Sequence, residues 1–149
     1  MPTITTNKKA LFNYQILEKV EAGLVLSGQE VKSIKGGNIN LKGSYITLKG
    51  NEAWLINSHV SPYKMASTLK DYQPTHDRKL LLKKQEIASL IGKAQTKGLT
   101  VLPISVYTKG SLIKVSVGVC RGKKQKDKRE LIKKRESDRH IQRVLRQKV

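Results

Sequence analysis

Three histidines, one cysteine and eleven carboxylates are the residues of this 149-residue chain that could do acid–base, nucleophilic or metal chemistry. Their spacing argues against all three. His59, His76 and His140 lie far apart, with no HExxH run and no His/Cys grouping of the kind that ligates zinc. The carboxylates before residue 121 are Glu18, Glu21, Glu30, Glu52, Asp71, Asp77 and Glu86, and no DxD pair among them suggests a two-metal site. No GxxxxGK[ST] loop is present to cradle a nucleotide phosphate. The chain is therefore expected to be no enzyme and to need no cofactor.

Charge is the dominant chemistry instead. Thirty Lys and Arg face eleven Asp and Glu, a formal net charge of +19. Self-repulsion on that scale calls for a polyanionic partner, nucleic acid or an acidic membrane surface. No apolar stretch approaches the roughly 18 residues of a spanning helix, and MPTITTNKKALFNYQ has no signal-peptide apolar region. The single cysteine, Cys120, leaves no internal disulfide and fits a reducing compartment, as a small buried residue at a strand end. These features point to a monomeric, cytoplasmic nucleic-acid binder without a membrane role.

Among the carboxylates Glu21 stands out, because it sits beside Gly23 where cations outnumber anions more than two to one. On a basic RNA-binding face it could accept hydrogen bonds from base amino groups or from neighbouring Arg and Lys. On spacing alone the better reading is a surface strand residue beside a lysine. Aromatics are sparse, and Tyr45, Trp54 and Tyr107 read as core or half-buried strand residues. That scarcity favours recognition by shape and phosphate over stacking on splayed bases.

These residues need a scaffold, and the pattern supplies one. YQILEKVEAGLVL (14–26) reads as a strand, with Gly23 marking a bulge or bend. SGQEVKSIKGG (27–37) changes to helical spacing, capped by Ser27 and ended by Gly36-Gly37. INLKGSYITLKG and AWLINSHV form a hairpin, and the run 61–77 is a long loop with two prolines. RKLLLKKQEIASLIGKAQTKG (78–98) reads as a helix, with a short strand over Leu80–Leu82 as the alternative for its opening. LTVLPISVYTKG and SLIKVSVGVC make a second hairpin, with Pro103 at an edge or bulge. The order predicts a mainly β fold: a small antiparallel, OB-like barrel with two to three packed helices.

The last residues differ in kind. Residues 1–120 carry seventeen basic and seven acidic groups, and residues 121–149 carry thirteen and four. This divides the chain into a body, 1–121, and a basic C-terminal tail, 122–149. Leu131, Ile132, Ile141, Val144 and Leu145 make no buried helical stripe, yet Glu130 and Glu136 precede basic residues at helical spacing. The expectation is a tail disordered alone and helical when laid against phosphates.

NKKA (7–10), EAGLVLSGQEVKSIKGGNINLKGSY (21–45), HVSPY (59–63), RKLLL (78–82) and GKKQKDKRELIKKR (122–135) occur in that order. Together they resemble the SsrA-binding protein family, small protein B, partner of transfer-messenger RNA in bacterial ribosome rescue. The resemblance implies an OB-fold body that binds the tRNA-like domain of that RNA and stands in for its missing anticodon arm. It also implies entry into ribosomes stalled on messages without a stop codon, the tail running into the empty mRNA channel at the decoding centre and becoming helical there. The RNA contacts it implies are Asn7, Glu21 and Leu81, with Lys32, Arg78 and Lys79 as basic neighbours and Gly122, Lys123 and Lys124 closing the face. In the tail it implies ribosome contacts at Asp127, Lys128 and Arg129, followed by Lys133, Lys134 and Arg135. Lys35 departs from the Arg frequent there, and the tail diverges after Ser137. A different reading of the same composition is a structural ribosomal protein that threads rRNA with its basic tail.

Overall fold

The thirteen residues at the start are too few to show a period, yet they hold two elements, strand β1 (Thr3–Thr6) and helix α1 (Lys8–Asn13). Asn7 joins them. Its Oδ1 accepts from the Ala10 N–H at 3.2 Å, capping α1, and its Nδ2 donates to the Pro103 carbonyl at 2.9 Å. The structure is a computed structural model that describes residues 2–63, 72–123, 129, 132–137 and 139.

Strand β2 (Tyr14–Leu24) follows, and its bulge falls between Ile16 and Glu18 rather than at Gly23. Helix α2 (Gly28–Lys35) opens on a reciprocal cap. Ser27 Oγ accepts from the Glu30 N–H, and Glu30 Oε1 accepts from the Ser27 N–H. The long hairpin expected over 39–60 is interrupted on both sides. Gly43 at φ +74° and Asn57 at φ +63° occupy left-handed conformations that end the ladder, and the Asn57 amide donates to the Gly43 carbonyl. The interruption leaves a two-residue pair, β3 (Ile39–Asn40) with β6 (His59–Val60), and a longer one, β4 (Tyr45–Lys49) with β5 (Glu52–Ile56).

Strand β7 (Arg78–Leu81) leads into helix α3 (Lys84–Ala94), as the leucine run suggests. Strands β8 (Leu99–Lys109) and β9 (Leu112–Gly122) close the body as a hairpin, with the register slip at Pro103 that a missing N–H requires.

Seven strands form one antiparallel sheet in the order β1-β8-β9-β2-β7-β5-β4, and β3-β6 stand apart. The mainly β, antiparallel architecture with packed helices is the one the sequence indicates. The closed barrel it also indicates is not formed among the described residues. The sheet curls until β4 contacts β8, but β1 and β4 remain at its two ends without pairing to each other. The four-residue β1 and the broken β3–β4 run leave too little strand for a closing ladder.

One face of the curl is the core. Ala22, Leu55, Leu80, Val115, Val117 and Val119 pack there with Ile34 of α2 and with Ile87 and Leu90 of α3. Burying a leucine or valine this fully contributes roughly 1.5–3 kcal/mol each. A smaller apolar cluster lies behind the sheet. Gly118 and Cys120 alternate with the core valines, and Ile104 covers Gly118 so closely that a Cβ would meet its Cγ1 at 2.7 Å. Burial pushes the Cys120 thiol up, away from the reactive thiolate.

Candidate nucleic-acid interface

Strand alternation decides which site residues meet. In β7, Arg78 and Leu80 turn inward, so Lys79 and Leu81 turn outward. Leu81 pairs with Gly23, Gly23 with Lys114, and Lys114 with Tyr107. Glu21 is two residues from Gly23 on the same strand, and Lys109 is two from Tyr107. These neighbours assemble one outer face across four strands: Lys109 and Tyr107 of β8, Lys114 of β9, Glu21 of β2, and Leu81 and Lys79 of β7. Leu81 is 56% exposed. At Gly23 the strands approach so closely that an added Cβ would lie 3.1 Å from Leu81 Cβ.

Glu21 is fixed within that face. The Tyr107 hydroxyl donates to Oε2 at 2.6 Å, and Lys109 Nζ reaches Oε1 at 3.3 Å. The Tyr107 hydrogen bond chiefly holds the carboxyl below its ordinary range, opposed by desolvation and aided by Lys109 and Lys114. Burial and the same carboxylate push Tyr107 up to about 12, so its hydroxyl is a donor throughout the neutral range. The face continues over Lys79, 3.6 Å from Glu52, to Trp54, whose Nε1 donates to Glu52. Trp54 and Tyr107 are half-buried as expected, whereas Tyr45 is 48% exposed.

Two expected contacts belong elsewhere. Arg78 is 1% exposed and presents no charge to solvent. Its Nε donates to Glu30 Oε2 at 2.8 Å, Nη1 to Ser58 and the His76 carbonyl, and Nη2 to the Pro74 carbonyl and the Tyr72 hydroxyl. Glu30, itself 3% exposed, also meets His76 Nε2 at 2.9 Å. Burial pushes the Glu30 carboxyl up, but the Ser27 N–H, the Arg78 guanidinium and His76 outweigh it and leave it lowered. This buried cluster ties α2 to the loop before β7 and to the end of β5. Asn7 is likewise buried, and its amide is spent on Ala10 and Pro103. Both side chains are buried and engaged within the fold.

Among the described residues no group of three His, Cys, Asp or Glu could hold a metal ion, and no helix is long and apolar enough to cross a membrane. A family model described as SmpB protein matches residues 4–147. The chain belongs to the SmpB protein family. It is 49% identical to the SsrA-binding protein of Gloeothece citriformis over 142 residues, 95% of this chain and 92% of that one. It is 47% identical to the SsrA-binding protein of Trichodesmium erythraeum over 144 residues, 97% of this chain and 92% of that one. A solved structure described as tmRNA-SmpB on "a journey to the center of the bacterial ribosome" superposes with a TM-score of 0.68 at 37% identity. It spans 89% of this chain and 95% of its own.

The other positions that the SmpB resemblance marks fall in three places. Lys32 is exposed on α2, its Nζ 5.6 Å from the Tyr63 ring centroid. Gly122 and Lys123 lie at the far end of β9, eight residues or roughly 26 Å from Lys114. There the Lys123 N–H donates to the Asn13 carbonyl and its Nζ to the Leu11 carbonyl, which fastens the start of the tail to α1. Lys124, Asp127 and Lys128 lie outside the described residues. Arg129, Lys133, Lys134 and Arg135 are helical and exposed, with Arg135 5.3 Å from the Phe12 ring centroid. Sequence reasoning missed Tyr107, Lys109 and Lys114; strand alternation around Lys109-Gly110 carries the signal that groups them.

Proposed function

We propose that this chain is a cytoplasmic RNA-binding adaptor that holds the tRNA-like domain of transfer-messenger RNA and brings it to ribosomes stalled on messages without a stop codon. The match to the SmpB family over nearly the whole chain carries this reading. The outer face supplies a mechanism. Lys109, Lys114 and Lys79 on that face, and Lys32 apart from it on α2, neutralise phosphates and set position without reading sequence. Glu21 and Leu81 add a fixed acceptor and an apolar surface for a nucleotide turned out of its stack. The job is binding and positioning, with no bond made or broken by the protein.

The tail supplies the second half. Its basic residues follow the mRNA channel, where rRNA phosphates screen their repulsion and hold the helix that residues 132–137 already adopt. Gly122 and Lys123 stand at the junction, and Asp127 to Arg135 enter the channel.

The test is to purify the tagged protein from its own cells and sequence the RNA bound to it. One dominant RNA with a tRNA-like end and an internal reading frame is expected. Bulk rRNA at one protein per ribosome would overturn the proposal in favour of a structural ribosomal protein.

A further inference from the structure

A carboxylate is an odd group to place where phosphates must approach, and this one is held with care. Both Glu21 oxygens are engaged from one side, Oε2 by Tyr107 and Oε1 by Lys109. A carboxylate offers about four lone-pair positions, so two acceptor positions remain. The side chain is about one-third exposed. Gly23 on the same strand carries no side chain, and Leu81 packs over it and exposes an apolar surface.

Two parallel acceptors that are never donors select among the bases. The Watson–Crick edge of guanine presents two adjacent donors, N1–H and N2–H. Adenine and cytosine each set an amino group beside a ring acceptor that a carboxylate repels, and uracil sets its one N–H between two carbonyls. We infer that Glu21 reads the Watson–Crick edge of an unpaired guanine, and that Tyr107 is the positioning residue that aims its carboxylate. The inference rests on the RNA-binding reading above. The guanine lies against the exposed face of Leu81, while Lys109 and Lys114 offset the charge of its own and adjacent phosphates. Tyr107 touches no base; it removes the rotamer freedom that would otherwise let the carboxylate swing toward a lysine.

The test uses the full-length protein and RNA hairpins that differ at one unpaired loop nucleotide: guanosine, inosine or adenosine. Inosine lacks only the 2-amino group, so it loses one charge-assisted hydrogen bond. It is expected to bind wild type about tenfold more weakly. Glu21→Gln is expected to lose most of that discrimination. Tyr107→Phe, which keeps the ring and its packing, should bind the adenosine hairpin as wild type does yet lose most of the guanosine preference. A merely structural tyrosine would change all three hairpins alike. Equal binding of the three by wild type, or an intact guanosine preference in Tyr107→Phe, overturns the inference. Preference for transfer-messenger RNA over an unrelated structured RNA is measured on the same protein. Its absence would sink the adaptor reading, while the hairpins still decide the guanine.

Discussion

Arg78 and Lys79 are adjacent cations with opposite duties, and exchanging each for a neutral residue separates stability from binding. Arg78→Met removes the partner of Glu30 and leaves a carboxylate that is 3% exposed without its guanidinium. It also strands the Ser58, Pro74 and His76 carbonyls. Breaking a buried pair from one side costs about 3–5 kcal/mol. With a urea slope near 2 kcal/mol per molar, the denaturation midpoint should fall by about 2 M. Lys79→Ala removes a side chain 42% exposed with a loose partner in Glu52, so stability should move by no more than about 0.5 kcal/mol. Its effect is expected in RNA binding, where the slope of log affinity against log salt should shrink by roughly 0.7–0.9, one phosphate contact. Urea titrations and filter binding at four or more salt concentrations read both quantities. The reasoning fails if Arg78→Met keeps its midpoint and loses a phosphate contact, because Arg78 would then face the RNA.

Three further outcomes follow from named contacts. Removing residues 124–149 spares the Lys123 bonds to α1, so RNA binding by the body should survive while tagging of stalled chains is lost; a truncated protein that still supports tagging would refute the tail's role. Glu30 is lowered in the folded state from an ordinary 4.5, so the unfolded state binds the extra proton. Its stabilisation is therefore full above about 4.5 and is lost as pH falls through the lower folded value; urea midpoints between neutral and acid pH should show this decline, and a flat profile would contradict it. Gly118→Ala drives a Cβ to within 2.7 Å of Ile104 Cγ1, and Ile104 is itself buried, so a loss of about 1–3 kcal/mol is expected in thermal or urea unfolding. An unchanged midpoint would mean that Ile104 has room to turn away.

What could be read from the chain depended on distance along it. The Ser27 cap and the Pro103 irregularity are local and stand where the pattern placed them, and the strand before α3 follows the alternative reading of the leucine run rather than a helix from Arg78. β1 and α1 escaped because four and six residues hold at most two repeats of their periods, too few to stand out. Closure into a barrel was inferred from the order of elements, the Gly23 bend and the family resemblance, whereas Gly43 and Asn57 break the strand that closing would have required. The site shows the same limit. Arg78 beside Lys79 looks like a second phosphate ligand until alternation sends it inward, and its partner Glu30 lies 48 residues away. Glu21 was recognisable as unusual from its basic surroundings, but Tyr107 is 86 residues distant, and only the fold brings the two together.

The placement of β9 has a mechanical consequence. The strand carries Lys114 at one end and the root of the tail at the other, and it is paired along most of its length with β2 on one side and β8 on the other. A pull on the tail directed along β9 loads both ladders in shear, so many hydrogen bonds resist together instead of peeling one at a time. The bonds from Lys123 to α1 take up sideways force before it reaches the sheet. With the two contacts placed as proposed, at opposite ends of one central strand, β9 would serve as a tie rod, letting the molecule be drawn by one end while the load at the other stays attached.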